Sequence, residues 1–516
     1  MAVAVTPQIY ESFKGIRELN GVNAGGAISA LVCQNVELVQ TEIGSSTGIK
    51  TMDGNGKLYN LPLGYAVKGI FKSLQEGITY RFIYGENSEE GALFYINPAR
   101  QVVKLIGNLT ITGECNGITM SSTAYDVFVF TNGEEVKTVC FTSDVAYGDT
   151  VKTISATDYD GRSIKWLSMT EWNGFLVVAS QYGVHASHQN DIYTWNDNPE
   201  DVADSWHIDF SKKVTAVYSY TGGLYIFTGD DVSFLNTTPN NTNSSLQTMA
   251  GVGCFSYTSI VKHDIYLFFY DDNQKNIYYI QNIDSGQLRP AGPVAREIQS
   301  KFNHVSTFKM YSCIYENRNE VWCLINDEVY IYNYVLQEWI QRVEQKINTV
   351  CLINNAILTG GADGKILSEN VNLLFDGFFF PAEYKTTYIN VGSNSNLKKQ
   401  KTPLLLVLND NYINDFWVEL TVNNKTKNPK RVRVLGSGGG IYGNDLDEEF
   451  QADNETYDIA TYAADNPYSK KVVEISTPQT WYTMSIRIFT DTEGQGFYIN
   501  SMELKNVKEK LKTRGR

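Results

Sequence analysis

A short pattern returns seven times along this chain, roughly every 40 to 50 residues: an apolar β-forming run, a tight polar turn, and a second such run. A hairpin-sized unit cannot bury its apolar surface alone and must stack on copies of itself, so this period predicts a β-propeller. Ile78-Thr-Tyr-Arg-Phe-Ile-Tyr84 turns through Gly85 to Gly91 into Ala92-Leu-Phe-Tyr-Ile96, and Tyr125-Asp-Val-Phe-Val-Phe130 turns at Asn132-Gly133 into Val136-Lys-Thr-Val139. Phe175–Ala179, Leu224–Phe227, Ile265–Tyr270, Glu320–Ile325 and Ala356–Leu358 repeat the pattern. Their residues are β-branched or aromatic, and the turns hold Gly, Asn or Asp, which tolerate positive φ. The competing architecture is two β-sandwiches in tandem, which would not group their strands so regularly into hairpins.

The expected fold is therefore all-β: a propeller of about six to eight blades with an additional C-terminal β-rich region. Residues 1–63 form a Gly-rich extended segment, 64–370 the propeller, and 371–516 the C-terminal region with a basic tail. There the strands lengthen: Tyr384–Val391, Leu404–Leu408, Phe416–Val422 and Met484–Phe489, broken by the loop Gly436–Gly440. Thirteen per cent aromatics and only 12 Pro agree with all-β structure. Ser501 to Leu511 reads either as a helix or as a last strand.

Chemistry is sparse. Of five histidines, His185, His188, His207, His263 and His304, the pair His185-Ala-Ser-His188 would share a face only on a helix, and it follows a strand-like run. Thr157–Gly161 and Asp53–Gly56 have the look of calcium loops but lack the spaced carboxylates, so Asx turns are the reading. Ser155–Trp166 has a faint likeness to a sialidase Asp-box, with Asp160 set directly against Gly161. No phosphate-cradling Gly loop or GxSxG elbow occurs. The seven cysteines (Cys33, Cys115, Cys140, Cys254, Cys313, Cys323 and Cys351) form no CxxC and read as buried thiols. No catalytic, cofactor-binding or metal-binding residue is assigned, no cofactor is expected, and the chain reads as a scaffold or binding protein, not an enzyme.

The formal charge of −14 has the wrong sign for gripping phosphates and suits a surface that lets nucleic acid slide past. Basic residues gather at Asn396–Lys401, Lys425–Arg433 and the tail Lys505–Arg516, without interleaved aromatics, and read as solvated loops or intersubunit docking patches. No apolar run is long enough to span a membrane, and Met1-Ala-Val-Ala-Val-Thr6 lacks the basic start and long apolar stretch of a secretory signal, so the chain reads as folded in a cytoplasm.

The order of segments resembles the tail-nozzle, tail-hub or DNA-stabilisation proteins of short-tailed bacteriophages. Phe13-Lys-Gly15, Cys33-Gln-Asn-Val-Glu-Leu38 and Gly48–Gly54 are similar to the family's lead-in. Val178-Ala-Ser180 with Trp195–Pro199, Gly223–Gly229, Val232–Leu235 and Gly251–Phe255 are similar to its blades, and Ser501–Lys505 to its ending. The resemblance implies a structural virion protein of the viral tail, assembled in the host cytoplasm as a homo-oligomeric ring, commonly sixfold, below the portal and adaptor. The N-terminal segment would share in ring or adaptor contacts, and tail fibre or needle proteins would attach. Double-stranded DNA would pass through the lumen during retention and ejection without specific binding. Basic 425–433 against acidic Asp445–Glu449 is one pairing such a ring could use. Two alternatives stand: a tail-fibre-like receptor or glycan-binding propeller, with Tyr193 and Trp195 stacking on sugars, and a polysaccharide-degrading propeller enzyme.

Overall fold

The computed structural model describes residues 2–4, 8–10, 12–17, 27–40, 46–121, 126–141, 151–154, 166, 168–195, 201–281, 290–315, 318–343, 346–372, 377–389, 397–400, 402–409, 412, 414–434, 471–493, 495–504 and 507–510. Almost all of them are strand or turn. Helix is confined, among the described residues, to the 3-10 segments Tyr257–Ser259 and Arg296–Phe302. The chain forms two compact units, one of residues 55–335 and 346–369, the other of 1–54, 336–345 and 370–516, and passes between them four times. The N-terminal segment and the C-terminal region, separate stretches in the sequence, thus belong to one unit.

The first unit is propeller-like. Antiparallel meanders follow one another, each strand pairing with the next: Ala66–Gln75 to Val102–Leu109, Asn116–Ser121 to Val151–Thr153, Ser168–Trp172 to Trp206–Asp209, Val214–Tyr220 to Leu246–Ala250, and Ile260–His263 to Pro290–Ala291. Phe308–Tyr315, Arg318–Ile325 and Glu328–Asn333 continue the series. The last sheet, Thr349–Ile353, Ala356–Gly360 and Lys365–Asn372, takes its fourth strand, Gly54–Asn60, from before the first sheet. The first strands pack side by side, and Thr349–Ile353 packs on Ala66–Gln75.

The apolar cores lie between sheets. Leu61, Val67, Ile83 and Phe94 bury against Ile353, Leu358 and Ile366, and Val127, Val129 and Met120 bury against Met169, Leu176 and Val178. Phe82 stacks on Phe128 with centroids 4.2 Å apart and planes 1° from parallel, and Tyr270 stacks on Phe308 at 4.5 Å. A sheet with such a core on each face is buried on both sides, which is why its inner strands carry apolar runs.

Four of the turns between first and second strands are two residues long with both φ positive: Glu76-Gly77 (47° and 77°), Asn173-Gly174 (52° and 84°), Thr221-Gly222 (49° and 77°) and Asn354-Asn355 (49° and 60°). This is the type I′ geometry whose twist matches that of the paired strands.

The second unit is built from strands far apart in sequence. One sheet runs Glu338–Arg342, Ala27–Gln34, Glu383–Thr386, Met484–Phe489 and Asn414–Val422, with Ser12–Ile16 added to Ala27–Gln34 and the hairpin strands Lys425–Thr426 and Lys430–Val434 on Asn414–Val422. A second runs Lys471–Ile475, Leu404–Leu408, Tyr498–Leu504, Thr47–Thr51 and Val36–Gln40, and Gln8–Tyr10 also pairs with Tyr498–Leu504. A third joins the chain's two ends, Ala2–Ala4 on Val507–Lys510, with Leu397–Gln400 and Thr480–Trp481 beyond. The stretch that read as helix or strand at Ser501 is thus strand on both sides of 505–506. Of the expected strand Tyr384–Val391, Glu383–Thr386 is strand; 390–391 lie outside the described residues, as does the loop Gly436–Gly440.

Candidate functional site

Side chains of one 3-10 turn link separate sheets of the propeller-like unit. The 3-10 turn Tyr257–Ser259 leads into Ile260–His263, and from it the Tyr257 phenol donates to the Cys115 carbonyl at 3.4 Å, at the head of a strand three sheets earlier. Thr258 Oγ1 donates to the Phe308 carbonyl at 2.7 Å, and Lys309 Nζ to the Asn348 carbonyl at 3.0 Å. Burial holds the Tyr257 and Tyr311 hydroxyls well above the usual phenol range, so both remain neutral donors. The turn therefore ties first strands together across the array.

The two histidines of His185-Ala-Ser-His188 go to different partners. His185 lies opposite His207 in the ladder, rings 6.1 Å apart, and its Nε2 is 3.1 Å from Ser180 Oγ. The Ser180 hydroxyl also lies 3.1 Å from the Gly183 carbonyl, so its one proton serves either acceptor. His188 Nε2 faces Asp204 Oδ1 at 3.2 Å and its Nδ1 faces the Gln189 carbonyl at 3.2 Å. No group of three or more His, Cys, Asp or Glu is arranged to hold a metal among the described residues. His263 is fully buried, with Nδ1 3.0 Å from Ser312 Oγ and its ring edge-on to Tyr334 at 5.4 Å; burial lowers it to about 4.

Tyr193 and Trp195 differ in what they offer a sugar. Trp195 packs on Trp166 at 5.0 Å and donates to the Ile192 carbonyl at 3.0 Å. Tyr193 is 45% exposed, but Lys152 Nζ sits 5.4 Å from its ring centroid and its hydroxyl meets Thr138 Oγ1 at 2.9 Å. Asn198-Pro199, Thr157–Gly161 and most of the Asp-box-like stretch lie outside the described residues. Asp53, of the other calcium-like loop, pairs with Lys50 Nζ at 3.1 Å. All seven cysteines are free thiols, and burial pushes Cys115, Cys254 and Cys351 up to about 12.

Sequence reasoning missed a set of acids, from the buried Glu86 and Glu320 through the half-buried Asp272 to the exposed Glu328, held by aromatic donors two residues away. Tyr84 donates to Glu86 at 2.9 Å, Trp322 to Glu320 at 2.9 Å, Tyr330 to Glu328 at 2.6 Å and Tyr270 to Asp272 at 3.0 Å. The signal is readable: residues i and i+2 share a strand face, so an aromatic with an O–H or N–H spaced two from an acid can neutralise its burial. Glu369, 4% exposed in the last sheet, is held by Asn55 Nδ2 at 3.2 Å and Thr359 Oγ1 at 2.5 Å. These carboxylates serve architecture.

Charge is distributed by position in the meander. Glu89, Glu134, Asp230, Asp327, Glu328 and Asp363 are exposed; Glu328 opens a third strand and the other five stand in turns joining second to third strands. In a propeller-like array those turns share one face. Lys212, Lys301 and Lys365 offset only part of it, by pairing with Asp230, Glu328 and Asp363.

The basic stretches divide. Lys398, in Leu397–Gln400, is no solvated loop residue: it is fully buried, donating to the Tyr482 carbonyl at 3.1 Å beside the Trp481 ring. Lys425, Lys427 and Lys430 are exposed on a hairpin, while Arg431 binds Asp415 bidentately at 2.9 and 2.8 Å. Residues 511–516 of the tail, and Asp445–Glu449, lie outside the described residues.

No protein-family model matches this chain, and no curated protein matches it. Among solved structures it is similar to BamB from Moraxella catarrhalis, at 10% identity and a TM-score of 0.38, over 66% of this chain and 94% of that one. It is also similar to the computationally designed Ika8 protein, at 8% identity and a TM-score of 0.32, over 61% of this chain and 100% of that one.

Proposed function

We propose that this chain is a structural virion protein, a subunit of a homo-oligomeric tail ring of the nozzle or hub kind, set below a portal and adaptor around the channel for the genome. The observation that carries the reading is what joins the last sheet to the start of the series. Gly54–Asn60 completes the last sheet while Thr349–Ile353 packs on Ala66–Gln75, contacts that support a closed propeller ring. Ala2–Ala4 pairs with Val507–Lys510, so both ends of the chain are held in one ladder.

A closed ring of sheets leaves few free edges and resists shear, as a wall under internal pressure must. Tyr257 reaches from its own sheet to the Cys115 carbonyl three sheets earlier, which supports a genome path between copies and not through any one propeller. The net charge of −14 favours sliding of DNA past the wall.

The test is native mass spectrometry and negative-stain microscopy of the purified chain, alone and with portal complexes. A ring that caps the portal complex is the expected result. A monomer that never joins a portal complex overturns the reading, and a trimer that retains glycans replaces it with the fibre reading.

A further inference from the structure

We propose that the ring is held by a charge-complementary, head-to-tail contact in which the Lys425–Lys430 hairpin of one copy docks on the acidic turn face of the propeller-like unit of the next. This deepens the ring reading and rests on it.

The hairpin is built to present charge. Asn414–Val422 reverses at Asn423-Asn424, both with positive φ (49° and 62°), into Lys425-Thr426 and then Lys430–Val434. Asn423 Oδ1 accepts from the backbone N–H of Tyr482 and Thr483 at 2.7 and 3.2 Å, and Asn424 Oδ1 accepts from the Tyr388 hydroxyl at 3.0 Å. The Lys427 N–H donates to the Leu420 carbonyl at 2.9 Å, and Thr421 and Thr426 join their hydroxyls across the ladder at 3.1 Å. The backbone is thus fixed before any partner arrives, which lowers the ordering cost of docking.

Residues 423–431 are all exposed, no acid lies among them, and neither Lys425 nor Lys427 has a carboxylate partner among the described residues. The surface is therefore locally positive on a chain whose remaining residues are more acidic than its total of −14.

The natural counterpart is the face of second-to-third strand turns, where Glu89, Glu134, Asp230, Asp327, Glu328 and Asp363 are exposed and only partly offset by lysines. A contact between two different surfaces of identical subunits is heterologous, and heterologous contacts generate rings. No aromatic stands between Lys425 and Arg433 to stack on bases, and the net charge repels phosphate, which favours a protein over nucleic acid as the occupant.

Two full-length variants test this. The hairpin variant carries Lys425→Glu, Lys427→Glu and Lys430→Glu; the face variant carries Glu89→Lys, Glu134→Lys and Asp327→Lys. All six positions are exposed, so the folded state, checked by circular dichroism and thermal midpoint, is expected to match the parent. Oligomeric state is read by native mass spectrometry and sedimentation. Each variant alone should associate at least about tenfold more weakly than the parent, and the parent should lose association as salt rises to about 1 M.

An equimolar mixture of the two variants should assemble again, with the copies alternating, because each reversed surface then meets its complement on the other variant. If the parent assembles and both variants assemble equally well, this contact is overturned while the ring reading stands. Loss of assembly in the variants without recovery in the mixture also overturns it. A parent that is monomeric under all conditions sinks both. If the hairpin variant forms intact rings but no longer retains DNA that the parent retains, the occupant is nucleic acid and the proposal fails.

Discussion

In the propeller-like unit nearly every strand pairs with its neighbour in the chain, whereas the other unit takes partners from hundreds of residues away. Phe82 and Phe128 meet across adjacent sheets, but the Phe497 N–H donates to Thr51 Oγ1, 446 residues distant, and Ala2 faces Lys510 in the ladder. Closing long loops costs entropy before any contact repays it, and non-local pairing slows folding. The meanders can form from local hairpins. The other unit cannot complete its sheets until Val507–Lys510 exists, and even in the first unit the last sheet needs Gly54–Asn60 from the opposite end.

The largest test of this contrast is Phe82→Ala. Removing a fully buried ring stacked at 4.2 Å on Phe128 should cost about 3 to 5 kcal/mol. Because the contact is local, the loss of amide-exchange protection should concentrate in Asp126–Thr131 and its neighbours and leave Leu404–Leu408 as protected as before. Equal loss in both units would mean that they unfold as one body, and the contrast would fall.

Next in size is Glu338→Ala in the stitched unit. Glu338 is 5% exposed; it accepts from the Arg17 guanidinium at 3.0 Å and from the Gly15 N–H at 3.1 Å, both more than 300 residues away. Burial nonetheless raises its pKa, ahead of the lowering by Arg17 and Lys14. Truncation leaves the guanidinium and the amide without this acceptor, for a loss of about 3 kcal/mol in a denaturant midpoint. Glu338→Gln, which keeps an acceptor and removes the buried charge, should recover most of it. If the alanine variant is as stable as the parent, the long-range stitching is ornamental.

What the sequence disclosed follows the same division. All seven runs that announced the repeat belong to second strands of their sheets, and of these Phe175–Ala179 and Gly223–Thr228 are buried along their whole length. Fourth strands were silent, because Leu246–Ala250 and Val151–Thr153 lie at the outer edge, mostly exposed, with polar residues. In the other unit Asn414–Val422 and Met484–Phe489 were legible through strict alternation, one face in and one out. Their partners were not, since pattern gives a strand its faces but never names its neighbour. The acidic turns were visible as residues, yet only the meander shows that they gather at one face.

A smaller effect separates the units by pH. His263 is buried in the propeller-like unit with its pKa lowered to about 4, against about 6.5 unfolded. A depressed histidine binds fewer protons folded than unfolded, so its neutral burial costs nothing above pH 6.5 and becomes destabilising as pH falls towards 4. Between pH 8 and pH 5 the loss should be about 2 kcal/mol. It should vanish in His263→Gln, measured by denaturant midpoints at the two pH values. A parent whose propeller-like unit is equally stable at both would show that His263 takes up its proton without penalty.

The smallest effect compares one turn in each unit. Gly222 sits at φ +77° with nothing within 4 Å of the point where a side-chain methyl would stand, so Gly222→Ala isolates the backbone cost of the left-handed region, about 1 kcal/mol. Asn424 occupies the same region at φ +62°, but its side chain accepts the Tyr388 hydroxyl, 36 residues away. Asn424→Gly relaxes the backbone and removes that hydrogen bond, so the two terms oppose and the net change should stay within about 0.5 kcal/mol. In the local unit, then, a turn is worth its own φ; in the stitched unit it is worth φ plus the contact with Tyr388. Asn424→Gly stabilising by the full glycine gain would show that the Tyr388 contact contributes nothing and would erase that difference.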